Sequence, residues 1–409
     1  MGLYMRKYFH LNIWSFFVLF ILFVSCSDDD KGKDVDVPSP KAQHTVFMYM
    51  AVDNSLYSET SSVLNKLLRG VNISGLNDCN LVVYLDNWGE LPRLMEVRIG
   101  ESGRAEWRTV NSYNEQDSSS PEVLGQIIEE VSTRYPSDSY SLIISSHGMG
   151  WIPIVDSYTT RRMSDAEMLL PDGISFLDTS VATRAFIQDK SNWMEIDEFC
   201  RAVPDRMFDF ILFDACYMGS VEIAYALRNK TDYLIFSPAE VLAEGFPYHL
   251  LMSDMLTPNP DLQAICEGYF NYYANKTGTD CSATIALVDC SQMDALASTV
   301  RDVLLESETG GAVDDYLQVQ RYDRLSARIL FDLDDYMSRI GVSAYSRFVS
   351  QLAKTVIYKA ATPSMLIGSS GFYINHYSGL STYIWQNKYQ TLNSVYSQLE
   401  WYRAVYGNQ

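Results

Sequence analysis

Apolar runs alternate with segments of helical periodicity along most of the chain. Six apolar runs predict buried strands, over 46–52, 80–86, 140–146, 208–214, 232–237 and 283–289. Segments with helical spacing lie between them, over 55–71, 121–135, 219–229 and 260–276. Continuous apolar strands that alternate with helices are typical of a sheet covered on both faces. The pattern therefore predicts an α/β sandwich with a mostly parallel six-stranded sheet flanked by helices.

The pattern changes after the sixth predicted strand. Two stretches near 313–339 and 342–359 have helical character, a strand-like run follows over 379–386, and a last helix closes the chain. We therefore predict a main α/β domain over 44–307 and a mainly helical C-terminal subdomain over 308–409 that packs on it.

The N-terminal segment has the pattern of an export signal. Arg6 and Lys7 precede the apolar run LNIWSFFVLFILFV, and the motif FVSC ends at Cys26. This order resembles a bacterial lipoprotein signal peptide over 1–25, with Cys26 as the lipidated first residue. An uncleaved transmembrane anchor is the alternative, although the run is short for a full span. Residues 26–43 are charged and lack apolar periodicity, which predicts a flexible tether.

The export signal, the composition and the net charge together limit where the protein is expected to act and which partners it is expected to bind. Export would place the folded part in the bacterial cell envelope, at the outer membrane or the cell surface, with membrane contact only through the N-terminal lipid. The 409 residues are 47% hydrophobic and 20% charged, enough for a sizeable core. The net charge of −20 argues against nucleic acid, because phosphates would be repelled. The cysteines show neither a dense disulfide framework nor a Cys/His metal cluster.

Two reactive side chains follow neighbouring predicted strands. His147 stands just past the third strand, and Cys216 just past the fourth. Sites of open parallel sheets lie beyond the carboxyl ends of the strands, so we expect the two residues within reach of each other. An imidazole lowers the pKa of a nearby thiol and serves as general acid, while the amides of Gly148, Gly150 and Cys216 could form an oxyanion hole. A structural histidine and an inert buried cysteine are the alternatives.

The sequence around both residues resembles a known family. SSHGMGW and FDACYMGSVEIAYAL are similar to the His and Cys motifs of the clostripain family of cysteine peptidases, in the caspase–gingipain–legumain clan. The similarity extends to VFMYMAVDNSL, SPAEVLAEGFPY and GLSTYIW, and covers roughly 45–385. It implies a caspase-like fold, His147 and Cys216 as catalytic dyad, and cleavage of proteins or peptides after Arg or Lys. Met149 departs from the family's glycine-rich pattern.

Calcium is a cofactor that the resemblance raises, because the family is linked with it. No EF-hand-like spacing of ligands occurs in the chain. The cofactor therefore stays open at this point, and no metal ligands are assigned.

Three acidic residues are candidates for a pocket that binds a basic side chain: Asp214, Glu240 and Glu244. Asp214 lies two residues before Cys216, so both side chains point to one face if the strand persists that far. A carboxylate there can hold a guanidinium by paired, charge-assisted hydrogen bonds. The alternatives are a loop-capping carboxylate for Asp214 and solvated surface charges for the two glutamates.

The interval between the His and Cys motifs predicts self-processing of a zymogen. It is polar, contains Pro and Gly and shows little periodicity, which is typical of an exposed loop open to cleavage. The resemblance implies a single chain that is cut after a basic residue in this interval. Its basic residues are Arg161, Arg162, Arg184 and Lys190, of which the Arg161–Arg162 pair is preferred. Ordinary surface charge is the alternative.

Two other functions stay open on the sequence. One is a catalytically inactive, clostripain-related surface lipoprotein that binds peptides or glycans, against which the intact dyad argues. The other is a different thiol or serine hydrolase. No GxSxG motif occurs, which excludes the α/β-hydrolase version of that function.

Overall fold

Strands and helices alternate along the chain in the order that the apolar pattern predicts. The structure is a computed structural model, and it describes residues 39–153, 171–175, 186–313 and 315–407. The strands are β1 (Ala42–Val52), β2 (Cys79–Asn87), β3 (Arg93–Ile99), β4 (Ala105–Ser112), β5 (Ser137–Ser145), β6 (Gln188–Asp189), β7 (Asn192–Trp193), β8 (Phe208–Asp214), β9 (Thr231–Phe236), β10 (Thr284–Asp289), β11 (Phe331–Asp332), β12 (Val356–Ala361), β13 (Ser364–Met365), β14 (Phe372–Tyr373) and β15 (Ser381–Thr382). The α-helices are α1 (Thr60–Ser74), α2 (Pro121–Arg134), α3 (Ile196–Ala202), α4 (Val221–Leu227), α5 (Tyr248–Met255), α6 (Leu262–Ala274), α7 (Met293–Glu306), α8 (Leu333–Ile340), α9 (Tyr345–Thr355), α10 (Gln390–Tyr396) and α11 (Glu400–Tyr406).

A nine-stranded sheet forms the centre of the fold, with the order β12-β10-β9-β8-β5-β1-β2-β3-β4. The strands β2, β1, β5, β8 and β9 run parallel, whereas the outer pairs on both sides are antiparallel. All six predicted strands are present, as β1, β2, β5, β8, β9 and β10. The sheet is wider than predicted, because β3, β4 and β12 extend its edges.

Helical layers cover both faces of the sheet. Successive residues of a strand face opposite sides, and in β1 Phe47 and Tyr49 pack into one apolar cluster while Met48 and Met50 pack into the other. The first cluster includes residues of α2, α3, α4 and α7, and the second includes residues of α1, α5 and α6. The predicted sandwich is therefore confirmed.

The C-terminal segment contributes to the same sheet, because β12 pairs with β10. The predicted helix over 313–339 is wrong for most of its length: of its described residues, only α8 is α-helical. The buried carboxylate of Asp323 explains the ordered loop before α8, since it accepts hydrogen bonds from the backbone amides of Leu325, Ile329 and Leu330. Amides satisfied in this way no longer need helical partners. The domain boundary before this segment stays a prediction.

The predicted signal peptide over 1–25 and its Cys26 lie outside the described residues. The lipid anchor therefore stays a prediction. Among the helices that the structure describes, none is long and apolar enough to cross a membrane.

Candidate active site

The loops that carry His147 and Cys216 lie against each other. They follow β5 and β8, which are hydrogen-bonded neighbours with Ser145 opposite Asp214. Gly148 marks the contact: a Cβ atom there would lie 2.3 Å from the carbonyl oxygen of Cys216 and 2.9 Å from its amide nitrogen. Only glycine permits so close an approach of two backbones. The structure thus brings together the loops of the two predicted catalytic residues, with Gly148 and Cys216, two of the three residues whose amides are predicted to form the oxyanion hole, at the contact.

Met149, which departs from the glycine-rich pattern of the family, does not adopt a left-handed backbone. The positive φ of this loop, 63°, falls at Gly150, where any residue other than glycine would be strained. The Met149 side chain is buried in the apolar cluster on one face of the sheet. The family's additional glycine is therefore not needed at this position.

Cys216 is buried and is contacted by the loop after β9. Its Sγ accepts a hydrogen bond from the amide of Val241 at 3.2 Å and lies 3.5 Å from the carbonyl oxygen of the same residue. The next residue, Tyr217, has a φ of 59°, which turns the chain sharply after the sulfur. Sequence reasoning missed Val241, because no local signal connects a valine to a cysteine 25 positions away.

His147 has a hydroxyl partner that sequence reasoning also missed. The Nε2 atom is 2.8 Å from the Oγ atom of Ser55. Ser55 follows β1, which pairs with β5 in the sheet, so a search of polar residues after the neighbouring strand would have found it. The aromatic side chain of Trp193 is also near, with its ring centroid 6.4 Å from that of His147.

Asp214 ends β8 and is completely buried. Its Oδ2 accepts a hydrogen bond from the Tyr248 hydroxyl at 3.0 Å, and Gly245 lies directly against its carboxylate. Because β8 ends at this residue, the alternation that would align Asp214 with Cys216 does not continue. Tyr248 belongs to one apolar cluster of the sandwich and Cys216 to the other.

Glu244 is near Asp214 and is bound by two lysines. Its carboxylate contacts Lys276 and the hydroxyl of Tyr272, and Lys66 lies 3.6 Å from Oε1. Burial acts to raise the pKa of Glu244, but the hydrogen bonds from Lys276 and Tyr272 and the charges of both lysines lower it overall. Burial lowers the pKa of Lys66, although Glu244 and Asp214 oppose this effect. The electrostatic coupling of Lys66 to both carboxylates indicates that they share one region.

Glu240 has a different partner from the one predicted. Its two carboxylate oxygens accept hydrogen bonds from Nε and Nη2 of Arg324, each at 2.7 Å. Both side chains are buried, with 3% and 0% of their surfaces exposed. Glu240 is therefore neither a solvated charge nor a wall of an open pocket in this structure. Arg324 of the chain itself binds the carboxylate that the sequence analysis assigned to a basic side chain of the substrate.

The predicted cleavage site at Arg161 and Arg162 lies outside the described residues, so self-processing at that pair stays a prediction. Of the basic residues in the interval, Lys190 is described, and its ammonium contacts Glu115 and lies 3.5 Å from Asp53. In the described ranges, no group of three or more His, Cys, Asp or Glu side chains is arranged to hold a metal ion, and calcium stays an open expectation.

Comparison with known proteins decides the family. The sequence profile of the clostripain family matches residues 48–166 and 172–405, which is most of the chain. The chain belongs to the clostripain family of cysteine peptidases. Clostripain from Hathewaya histolytica is 23% identical over 264 residues, which cover 55% of this chain and 45% of that protein. The match thus spans less than half the length of this relative.

Solved structures of the clostripain family share the fold. An inactive zymogen of a C11 protease from Parabacteroides distasonis is 35% identical, covers 90% of this chain and 99% of its own, and superposes with a TM-score of 0.76. A secreted C11 cysteine protease from Bacteroides thetaiotaomicron, solved with an irreversible peptide inhibitor, is 30% identical, with 88% and 98% covered and a TM-score of 0.75. The caspase-like class predicted from the sequence is confirmed.

Proposed function

We propose that this protein is a cysteine endopeptidase that cleaves peptide bonds after Arg and, less efficiently, after Lys. The observation that carries the proposal is the direct contact between the His147 and Cys216 loops at the carboxyl ends of two paired strands. A thiol and an imidazole that are carried on two adjoining loops can serve as a nucleophile and its acid–base partner.

The reaction divides into two steps. The thiolate of Cys216 attacks the substrate carbonyl carbon, and the amides of Cys216 and Gly148 stabilise the negative oxygen. His147 donates a proton to the leaving nitrogen, the C–N bond breaks, and a thioester remains. Water then adds to the thioester with His147 as base, which releases the acid product and restores the thiol.

Asp214 and Glu244 are our candidates for the residues that attract the basic side chain. Both are acidic and lie in one region, beside Gly245 and the start of α5. A largely buried carboxylate binds a guanidinium through charge-assisted hydrogen bonds that a neutral side chain cannot replace.

Alanine substitution of each dyad residue tests the mechanism. Cys216→Ala and His147→Ala should each lower kcat/KM by orders of magnitude on a peptide with Arg before the scissile bond, and the double variant should be little worse, since the two residues act as a unit. Near-native turnover by Cys216→Ala would refute the mechanism. A folded Cys216→Ala that still binds the peptide separates loss of chemistry from loss of binding.

We also propose that the chain is made as a zymogen and cuts itself after Arg161 or Arg162. The polar interval between the two motifs supports this, as does the description of a similar protein as an inactive zymogen. N-terminal sequencing should find a new terminus at Arg162 or Met163 in wild type and none in Cys216→Ala. An active enzyme that stays one intact chain would exclude it.

A further inference from the structure

The loop after β9 contacts the Cys216 turn through the residues on both sides of Glu240. The Val241 amide donates to Sγ of Cys216 at 3.2 Å. Two residues earlier, the carbonyl oxygen of Ala239 accepts a hydrogen bond from the amide of Tyr217 at 2.9 Å. The residues on either side of Glu240 therefore both contact the turn that carries the nucleophile, and the position of Glu240 determines where these contacts fall.

Glu240 is fixed by a residue from the C-terminal part of the chain. Arg324 holds its carboxylate with two hydrogen bonds of 2.7 Å, and its Nη1 donates to the carbonyl oxygen of Ser369 at 2.6 Å. The preceding residue, Asp323, is tied to its own loop through three backbone amides. A bidentate guanidinium–carboxylate pair constrains orientation as well as distance, and here the arginine side has little freedom to move.

We propose that Arg324 is a positioning residue for catalysis: through Glu240 it holds the Val241 amide against the sulfur of Cys216, where this donor favours the thiolate. A hydrogen bond donated to the charged form of a group stabilises that form. The amide of Val241 is nearer to the sulfur, at 3.2 Å, than the carbonyl oxygen of Val241, which accepts from the thiol at 3.5 Å and acts in the opposite direction. The inference rests on the proposed role of Cys216 as nucleophile. It also assigns to the C-terminal segment a part in the chemistry, although the segment carries neither member of the dyad.

The pKa of the Cys216 thiol in two variants distinguishes an effect of loop position from an effect of charge. Removing the charge of Arg324 leaves a net negative charge near the sulfur, whereas removing the charge of Glu240 leaves a net positive one. If charge alone acted on Cys216, the first change would raise the pKa of the thiol and the second would lower it. If loop position acts, both changes release the Val241 amide and both raise it.

The rate of Cys216 alkylation by iodoacetamide, followed against pH by mass spectrometry of the peptide that contains it, tests the proposal. Relative to wild type, Arg324→Gln and Glu240→Gln should both move the midpoint upward, with alkylation about tenfold slower on the acid side. As control, Arg206→Gln breaks the exposed pair with Asp232 at 2.6 Å and should leave the profile unchanged. Shifts in opposite directions, or an unchanged midpoint in folded variants, would overturn the proposal.

A second variant keeps the test decisive if a single substitution prevents folding. Arg324→Met combined with Glu240→Leu removes both charges of the pair together, and apolar replacement of a buried ion pair often preserves stability. Once circular dichroism shows a folded protein, a raised midpoint supports the proposal and a wild-type midpoint refutes it. Alkylation needs no peptide hydrolysis, so a failure of the proposed peptidase would be seen separately, as turnover retained in Cys216→Ala.

Discussion

Two lysines compete with the substrate for the acidic region that we assign to specificity. Lys276 and Lys66 both bind Glu244, and Lys66 also donates to its backbone carbonyl at 2.8 Å. Asp214 is completely buried, and its Oδ2 accepts a hydrogen bond from the Tyr248 hydroxyl. We infer that Glu244, which is 36% exposed and in direct contact with lysines, attracts a basic side chain less strongly than the completely buried Asp214.

Asp214→Asn should therefore reduce the preference for Arg far more than Glu244→Gln does. We expect kcat/KM on an Arg peptide to fall by about a hundredfold or more, the usual cost of losing one member of a desolvated charge pair, with little change on a matched norleucine peptide. Asparagine keeps an oxygen to accept the Tyr248 hydrogen bond, so the fold should survive. The ratio of the two kcat/KM values is the measurement. An unchanged ratio, or an unfolded protein, would assign Asp214 a structural role.

The hydroxyl of Ser55 is expected to orient the imidazole of His147. Removing it in Ser55→Ala should lower kcat/KM by about tenfold, the value of one net hydrogen bond. Ser55→Thr keeps a hydroxyl and should recover most of the activity. If the alanine and threonine variants have the same kcat/KM as wild type, the 2.8 Å contact has no catalytic role.

At the scale of elements, the contact between the loops of His147 and Cys216 requires that Gly148 has no side chain. Gly148→Ala would place a carbon atom 2.3 Å from the Cys216 carbonyl oxygen, so the loops must separate. We expect activity to fall by orders of magnitude and Tm to decrease. Gly125 in α2 is the matched control, since an added Cβ would lie 3.7 Å from its nearest neighbour. Gly125→Ala should keep activity and raise Tm slightly, because alanine favours helix. Equal kcat/KM values for the two variants would contradict this account.

A buried acidic pair joins β2 to β6 and makes stability depend on pH. Ser118 donates from Oγ to Asp86 at 2.5 Å and from its amide to Asp189 at 2.7 Å. Burial, with smaller contributions from neighbouring carboxylates, raises the pKa of Asp86 to about 7 and that of Asp189 to about 6. Because these pKa values exceed the 3.8 of an ordinary carboxyl, the pair contributes its full stability only below that pH and loses it progressively as the pH rises to about 6 for Asp189 and about 7 for Asp86.

Asp86→Asn should remove much of this dependence. Its amide stays neutral and can still accept the Ser118 hydrogen bond, so Tm should rise relative to wild type, and the rise should be larger at pH ~8 than at pH ~5. Thermal unfolding at the two pH values checks the sign. The exposed Asp232→Asn serves as control and should show no such difference. A Tm change of equal size at both pH values would indicate that Asp86 is ionised throughout.

The elements that sequence reasoning predicted are those defined by local pattern. The apolar runs of β5 and β8 identified two buried strands, and parallel pairing then placed His147 near Cys216. Contacts between distant segments were not predictable in this way. Arg324 meets Glu240 across 84 positions, and both residue types usually lie at the surface. The region before α8 has helical composition, but the side chain of Asp323 binds the backbone amides that a helix would have used.

For the whole molecule, we propose a lipid anchor at Cys26 that holds the enzyme in the cell envelope. The net charge of −20 keeps the folded part soluble, so attachment should depend on the lipid alone. Cys26→Ser should move the protein from the detergent phase to the aqueous phase in Triton X-114 partitioning and leave peptidase activity intact. Retention of the variant in the detergent phase would favour the uncleaved transmembrane anchor.

The parallel pairing of β5 with β8 has a consequence for a processed enzyme. A cut between Pro153 and Phe186 would leave β1 to β5 in one fragment and β8, β9, β10 and β12 in the other, with the two fragments joined along five residue pairs in the middle of one sheet. The intact chain folds in a unimolecular reaction, but the cut enzyme could be regenerated only by a bimolecular one. Its recovery from denaturant should therefore slow on dilution, and because His147 and Cys216 lie on different fragments, neither fragment alone would hydrolyse a peptide.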